Sequence, residues 1–244
     1  MTLIYVVGIG PGRKDQMTQR AVDVLEKCDV IIGYKGYVDL IEADFKERKD
    51  LISSPMKSEI ERCRTALDNA AAGKTVGLIS SGDPGIYGMA GLMLEIAGED
   101  GPEIEIVPGM TAACTAAAIL GAPIMNDFAV VSLSDLLTPW DVIERRLEAA
   151  AYADFVICLY NPSSRGRPEN LKKACRVLLK SKKNSTPAGW VRNAGRDGEK
   201  YGITTLDSLA DEPMDMFCTV IIGNSSTYAA ENRMITPRGY GLKQ

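Results

Sequence analysis

Short runs of β-branched residues alternate with amphipathic stretches through the first half of the chain, and this order leaves few folds open. The runs are Leu3 to Val7, Val30 to Ile32, Leu51 to Ser53, Val76 to Ser80 and Ile104 to Val107, each bounded by Gly, Pro or charge. Strands separated by helices read as βαβ units with a mostly parallel sheet. From Ser58 to Ala72 the apolar positions Ile60, Cys63, Leu67 and Ala71 recur at helical spacing, and Ser58-Glu59-Ile60-Glu61 has the pattern of an N-terminal capping box.

A second region starts after Gly121-Ala122-Pro123, where a small-residue helix, Thr111 to Leu120, meets a Gly and a Pro before a fresh strand at Phe128. The 244 residues allow one large or two small domains, and this break predicts two, residues 1–121 and 122–244. In the second, Thr138-Pro139-Trp140-Asp141 predicts a capped helix start with Ile143, Leu147 and Ala150 on one face. A strand at Phe155 to Tyr160 precedes a helix carrying Leu171, Ala174, Cys175, Leu178 and Leu179. Ala188 to Arg192, Tyr201 to Thr205 and Phe217 to Ile222 read as further strands, so the second domain is expected to hold a mixed sheet with fewer helices.

Composition narrows the chemistry. The chain has no His, which excludes Ser-His-Asp and Cys-His hydrolases, His-ligated zinc enzymes and haem-His proteins in their usual forms. Its six cysteines contain no Cys-x-x-Cys pair, so neither a redox dithiol nor a metal site is expected, and their apolar settings fit small buried hydrophobes in a reducing cytoplasm. The net charge of -4 gives no global field for nucleic acid. The N-terminal apolar run is too short for a membrane span and lacks a basic leader, so no membrane partner is expected.

Three turns stand where ligands bind in open α/β sheets, at the carboxyl ends of strands. Gly8-Ile9-Gly10-Pro11-Gly12 lets backbone approach a ligand, but its third glycine comes one position early for a dinucleotide fingerprint and Pro11 offers no N–H. A plain tight turn and a close-approach ligand site both remain open for it. Ser80-Ser81-Gly82-Asp83-Pro84-Gly85-Ile86-Tyr87-Gly88 is longer than a connection requires and carries one carboxylate, Asp83. Val107-Pro108-Gly109-Met110-Thr111-Ala112 again joins a strand end to a helix start. Together they describe a cleft built largely from backbone and suited to a small polar molecule.

In that order and spacing, the three turns resemble the tetrapyrrole (corrin/porphyrin) methylase superfamily. Longer words narrow the resemblance to the precorrin-3B C-17 methyltransferase branch of cobalamin synthesis: Gly33-Tyr34-Lys35-Gly36-Tyr37, the stretch from Asp127 to Trp140, Leu159-Tyr160-Asn161-Pro162-Ser163-Ser164-Arg165, Arg192-Asn193-Ala194-Gly195-Arg196 and Thr236-Pro237-Arg238-Gly239-Tyr240. One departure is Asn126, where the family often has His before the Asp-Phe pair.

The resemblance implies two α/β domains with an inter-domain trough, S-adenosylmethionine as cofactor, no metal, a tetrapyrrole substrate and a homodimer in the cytoplasm. It implies cofactor contacts from Pro11, Gly82, Asp83, Ile86, Thr111, Ala112, Asn161 and Ala194. The turn after the second strand would face the substrate with Tyr34 and Lys35, and these two with Asp135 are candidates for catalytic proton transfer, alongside Asp83. A polycarboxylate substrate would meet Arg165, Arg192, Arg196 and Arg238, with Arg167 in the same set. The reaction implied is methylation of carbon 17 of precorrin-3B or cobalt-factor III with ring contraction. A methylase acting at another tetrapyrrole position, a ribosomal RNA methylase of the same fold and a non-catalytic cofactor-binding module are the alternatives.

Overall fold

The computed structural model describes residues 3–164 and 166–240. Two compact units divide the chain, Met1–Ala112 and Ala113–Gln244.

The first unit contains β1 (Leu3–Gly8), α1 (Gln19–Lys27), β2 (Val30–Tyr34), α2 (Lys35–Phe45), β3 (Asp50–Ser54), α3 (Glu59–Ala71), β4 (Val76–Ser80), α4 (Ala90–Ala97) and β5 (Glu103–Val107). Its five strands form one parallel sheet in the order β3-β2-β4-β1-β5. Alternation along β1 sorts the core into two layers. Tyr5 and Val7 pack with Val24 and Leu25 of α1 and Val38, Ile41 and Phe45 of α2, while Ile4 and Val6 pack with Cys63 and Ala66 of α3 and Met93 of α4. Covering both faces is what a parallel sheet requires, and it leaves the strands' carboxyl edge to carry the long turns.

Two helix starts differ from the expected caps. Ser58 flanks α3 at φ -107, ψ 34, outside the extended region an N-cap needs, and its hydroxyl makes no cap bond; Glu59 accepts from the Lys57 N–H at 3.3 Å instead. A cap that the sequence reading did not single out is formed at α1, where the Thr18 hydroxyl accepts from the Ala21 N–H at 3.1 Å.

The second unit contains most of α5 (Ala112–Leu120), then β6 (Gly121–Ala122), β7 (Phe128–Ser132), α6 (Trp140–Tyr152), β8 (Val156–Tyr160), α7 (Asn170–Leu178), β9 (Pro187–Arg192), β10 (Lys200–Thr205), β11 (Cys218–Ile222), β12 (Tyr228–Ala230) and β13 (Arg233–Ile235). The main sheet is mixed, in the order β10-β9-β11-β8-β7, with only β7 and β8 parallel neighbours. At α6 the helix opens on Trp140 with Pro139 at the cap position, so Thr138 lies outside it and makes no cap bond, because Pro139 is extended at φ -55, ψ 146.

α5 packs with this unit: Ala113, Ala116, Ala117 and Leu120 are buried with Val156, Cys158, Val191, Ile221 and Met234. The division of contacts therefore falls after the first residue of α5, whereas the sequence break near residue 122 lies after its last. A Gly-Ala-Pro break marks where a helix ends and says nothing of which core its apolar side joins. Gly121-Ala122 pairs with β13 in a small sheet completed by β12. Lys182 pins the edge of the main sheet where β8 begins and β11 ends, its buried ammonium donating to the Phe155 and Gly223 carbonyls at 3.0 Å each.

Five cysteines are buried and Cys114 on α5 is exposed. Burial pushes the thiols of Cys28 and Cys158 up to about 12, and those of Cys63, Cys175 and Cys218 up to about 11. Because the thiolate is the reactive form, a thiol reagent at pH 8 should titrate Cys114 alone in the native protein and all six cysteines after unfolding. Rapid labelling of a second cysteine in the native state would contradict this packing.

Candidate functional site

Glycine placement in the first unit makes three separate turns into one object. Gly10 and Gly82 exchange backbone hydrogen bonds, with Gly82 N donating to the Gly10 carbonyl at 2.9 Å and Gly10 N to the Gly82 carbonyl at 3.1 Å. A Cβ on Gly109 would stand 2.2 Å from the Gly82 carbonyl oxygen and 2.6 Å from Gly8 backbone, and a Cβ on Gly8 would meet Gly109 N at 2.6 Å. No side chain fits where these backbones touch. Gly10 and Gly82 also hold φ of +56 and +67, the left-handed region that favours glycine.

Asp83 locks the arrangement. Its Oδ1 accepts from Gly85 N at 2.8 Å within its own turn, and Oδ2 accepts from Gly109 N at 3.1 Å in the next. The carboxylate thus closes an Asx-type turn and staples it to the strand-five turn. At the far end of the loop the Ser80 hydroxyl accepts from Met89 N at 3.2 Å. Pro11 is buried, Thr111 and Ala112 are half-buried, and Ile86 is exposed. The structure therefore brings Pro11, Gly82, Asp83, Thr111 and Ala112 to one edge of one sheet, with Ile86 projecting from the middle turn.

Tyr34 ends β2, and its ring meets Tyr37 edge-on at 5.1 Å between centroids. Lys35 opens α2 and pairs with Asp39 at 2.8 Å on the helix surface, where the lysine side chain is 68% exposed.

In the second unit, β8 and β9 both run antiparallel to β11 between them, so their carboxyl ends share an edge. Asn161 and Asn193 follow those ends, both in left-handed backbone at φ 53 and 52, a region Asn tolerates. Asn161 donates from Nδ2 to the Ser132 hydroxyl at 3.0 Å, and Ser132 also accepts from Ser134 N at 3.2 Å. Ala194 is half-buried against the core that holds α5. The same edge carries Arg192, paired with Asp215 at 2.8 Å, and Arg196, whose N–H closes a turn on the Asn193 carbonyl at 2.8 Å. Asp135 lies 3.9 Å from Arg167, which is itself held by the Ser134 hydroxyl at 2.6 Å. Arg238 donates to the Met125 carbonyl at 3.0 Å. Arg165 lies outside the described residues.

Sequence reasoning missed Tyr160 and Ser132 as organisers. The Tyr160 hydroxyl accepts from Ala113 N at 2.8 Å, capping an open N–H at the start of α5 from 47 residues away; no local pattern signals such a bond. Asn126, where the resemblance expects His, donates to the Pro237 carbonyl at 3.0 Å and so ties down the C-terminal segment, a task needing a donor and no titration. Among the described residues, no group of three or more His, Cys, Asp or Glu is placed to hold a metal ion, and no helix is long and apolar enough to cross a membrane.

The family described as Tetrapyrrole (Corrin/Porphyrin) Methylases matches residues 3–210. A probable cobalt-factor III C(17)-methyltransferase of Salmonella typhimurium is 51% identical over 98% of this chain and all of that protein. A precorrin-3B C(17)-methyltransferase of a Sinorhizobium species is 39% identical over 97% of this chain and 96% of its own. Among solved structures, that of the methyltransferase CobJ superposes with a TM-score of 0.91 at 34% identity, covering 97% of this chain and 100% of the other.

Gly109→Ala should lower stability by about 1–3 kcal/mol or more, because the added methyl meets only backbone that has no rotamer to yield. Gly91→Ala, at a helical position with open space, is the control and should hold or raise the melting temperature. Equal melting temperatures for the two variants would remove the interlock from this description.

Proposed function

The chain belongs to the tetrapyrrole (corrin/porphyrin) methylases, and from that membership we propose that it transfers a methyl group from S-adenosylmethionine to carbon 17 of precorrin-3B or cobalt-factor III, with contraction of the macrocycle. The observation that supports this most directly is the match, over nearly the whole of both chains, to relatives named for that transfer.

The first unit's edge fits the cofactor on the structure's own terms. It offers turns packed backbone to backbone at Gly8, Gly82 and Gly109 and held by Asp83, so that a polar ligand would meet fixed partners. When bound, S-adenosylmethionine supplies a methyl already activated on a sulfonium, leaving a neutral thioether after transfer. Pro11, Gly82, Asp83, Ile86, Thr111 and Ala112 would hold it, with Asn161 and Ala194 from the second unit.

An activated methyl asks little of the protein in acid-base terms, which accommodates a chain without histidine. What remains is orientation: reacting atoms held about 3–3.5 Å apart with water kept out. Rigid backbone turns suit that task better than long side chains, which lose rotamer entropy on ordering. Arg192, Arg196 and Arg238 would take substrate carboxylates. Asp215 already occupies Arg192, so a substrate carboxylate must share or displace it. Asp135 is linked to Arg167, and Lys35 to Asp39; for either to move a proton during contraction, its partner must first release it. The acidic net charge favours a small polyanion held by local arginines over a nucleic acid. The reading includes a cytoplasmic homodimer, which sedimentation checks.

Titration calorimetry with S-adenosylhomocysteine should show one site per chain, and mass and NMR analysis of the product should place the new methyl at carbon 17 of a contracted ring. Absence of binding would end the reading, and a methyl elsewhere would move the chain to another branch. Asp83→Ala should weaken S-adenosylhomocysteine about tenfold or more, about 1.4 kcal/mol, because two N–H groups lose their acceptor. Arg192→Ala should instead raise the KM for the tetrapyrrole while leaving that affinity within a factor of about two; equal loss of both would indicate a folding defect.

A further inference from the structure

Arg62 is a charged residue buried in the first unit, only 4% exposed. It projects from α3, whose neighbours Cys63 and Ala66 pack against the sheet face carrying Val30, Ile32, Val76 and Leu78. Its guanidinium donates from Nε to the Ser54 hydroxyl at 2.8 Å, from Nη2 to the Pro55 carbonyl at 3.0 Å and from Nη1 towards Met89 Sδ at 3.6 Å. All three acceptors are neutral. Among the described residues no ion pair includes it. Burying a guanidinium against neutral partners alone is expensive, and an apolar side chain of similar volume would usually serve packing as well or better.

Its position gives the charge a use. Ser54 ends β3, and Met89 closes the long turn that follows β4. Sheet order places β2 between those strands, with Tyr34 in register with Ser54. The guanidinium therefore bridges the strands on either side of the end of β2, at the carboxyl edge and beside the Tyr34-Lys35 turn. A cation surrounded by protein is screened less than the surface pairs Lys35–Asp39 and Lys74–Asp50, and Glu59 and Glu61 on the same helix turn make no ion pair with it. S-adenosylmethionine, with one carboxylate against a sulfonium and an ammonium, gains little from the field of such a cation. A ligand rich in carboxylates gains more.

We propose that Arg62 is a positioning residue for the substrate: its uncompensated charge draws a tetrapyrrole carboxylate to the carboxyl edge at the end of β2, while its three hydrogen bonds hold the turns after β3 and β4 in place. This inference rests on the tetrapyrrole reading above. It assigns the first unit a share in substrate recognition that the arginines of the second unit do not supply.

The test compares wild type, Arg62→Met and Arg62→Lys in three measurements: thermal unfolding, calorimetric affinity for S-adenosylhomocysteine, and affinity for uroporphyrin III, a polycarboxylate tetrapyrrole used as probe, by fluorescence at low and high salt. Arg62→Met should melt below wild type, because Ser54 and Pro55 lose their donor, yet bind S-adenosylhomocysteine within twofold. It should bind the porphyrin at least tenfold more weakly at low salt, and Arg62→Lys should recover most of that loss. A packing role alone would move the melting temperature and leave the porphyrin affinity unchanged, and that result overturns the proposal. So does parallel loss of both ligands. If Arg62→Met does not fold, Arg62→Lys decides: it keeps the charge and loses the fork, so near-wild-type porphyrin affinity at a lower melting temperature supports the proposal, and a tenfold loss refutes it. A wild-type chain that binds S-adenosylhomocysteine and not the porphyrin would refute the substrate reading itself, an outcome distinct from failure of the Arg62 variants.

Discussion

Backbone meeting backbone at Gly8, Gly82 and Gly109 is the contact on which the first unit's working edge depends. Strands in a parallel sheet end side by side, but their following turns normally diverge over the helices. Here they converge because no Cβ stands between them and because Asp83 accepts an N–H from each of two turns. The resulting surface is presented by main chain, whose position is set by the sheet's hydrogen bonds rather than by rotamers. For a reaction in which the donor group is already activated, a rigid surface of this kind contributes through geometry.

The second unit reaches a comparable edge by other means. Its β8 and β9 end in asparagines that take up left-handed backbone, and Asn161 is held through its amide to Ser132 at the end of the neighbouring β7. Side chains carry the charge there: Arg192, Arg196 and Arg167 all emerge close to strand ends, and two of them are kept in place by Asp215 and Asp135. The first unit's edge is thus mainly backbone, with the buried cation Arg62 in the same unit, and the second unit's edge carries arginines.

Much of the secondary structure was legible because it rests on local signals. Period-two and 3.6-residue patterning located the strands and helices, since the side chains that alternate along Leu3 to Val7 are the ones the two helical layers cover. Local cap motifs misled at Ser58, whose backbone lies outside the extended region, and at Thr138, which stands one residue ahead of the cap position. The three glycine-bearing turns were legible as well, because a strand followed at once by glycines has a physical reason to be there. Their mutual contact was not, for Gly8 and Gly109 are a hundred residues apart and meet only through the parallel register of β1 with β5.

The chain's residue order was enough to establish the alternating architecture, the absence of histidine chemistry and the glycine turns at strand ends, since each follows from neighbours along the chain. Which core α5 joins, that Tyr160 caps it, that Asp83 staples two turns and that Arg62 is buried without a carboxylate were decided by the folded chain. Each depends on residues that meet only in the folded chain, and no periodicity or motif encodes a distance that exists only once the sheets have set their strand order.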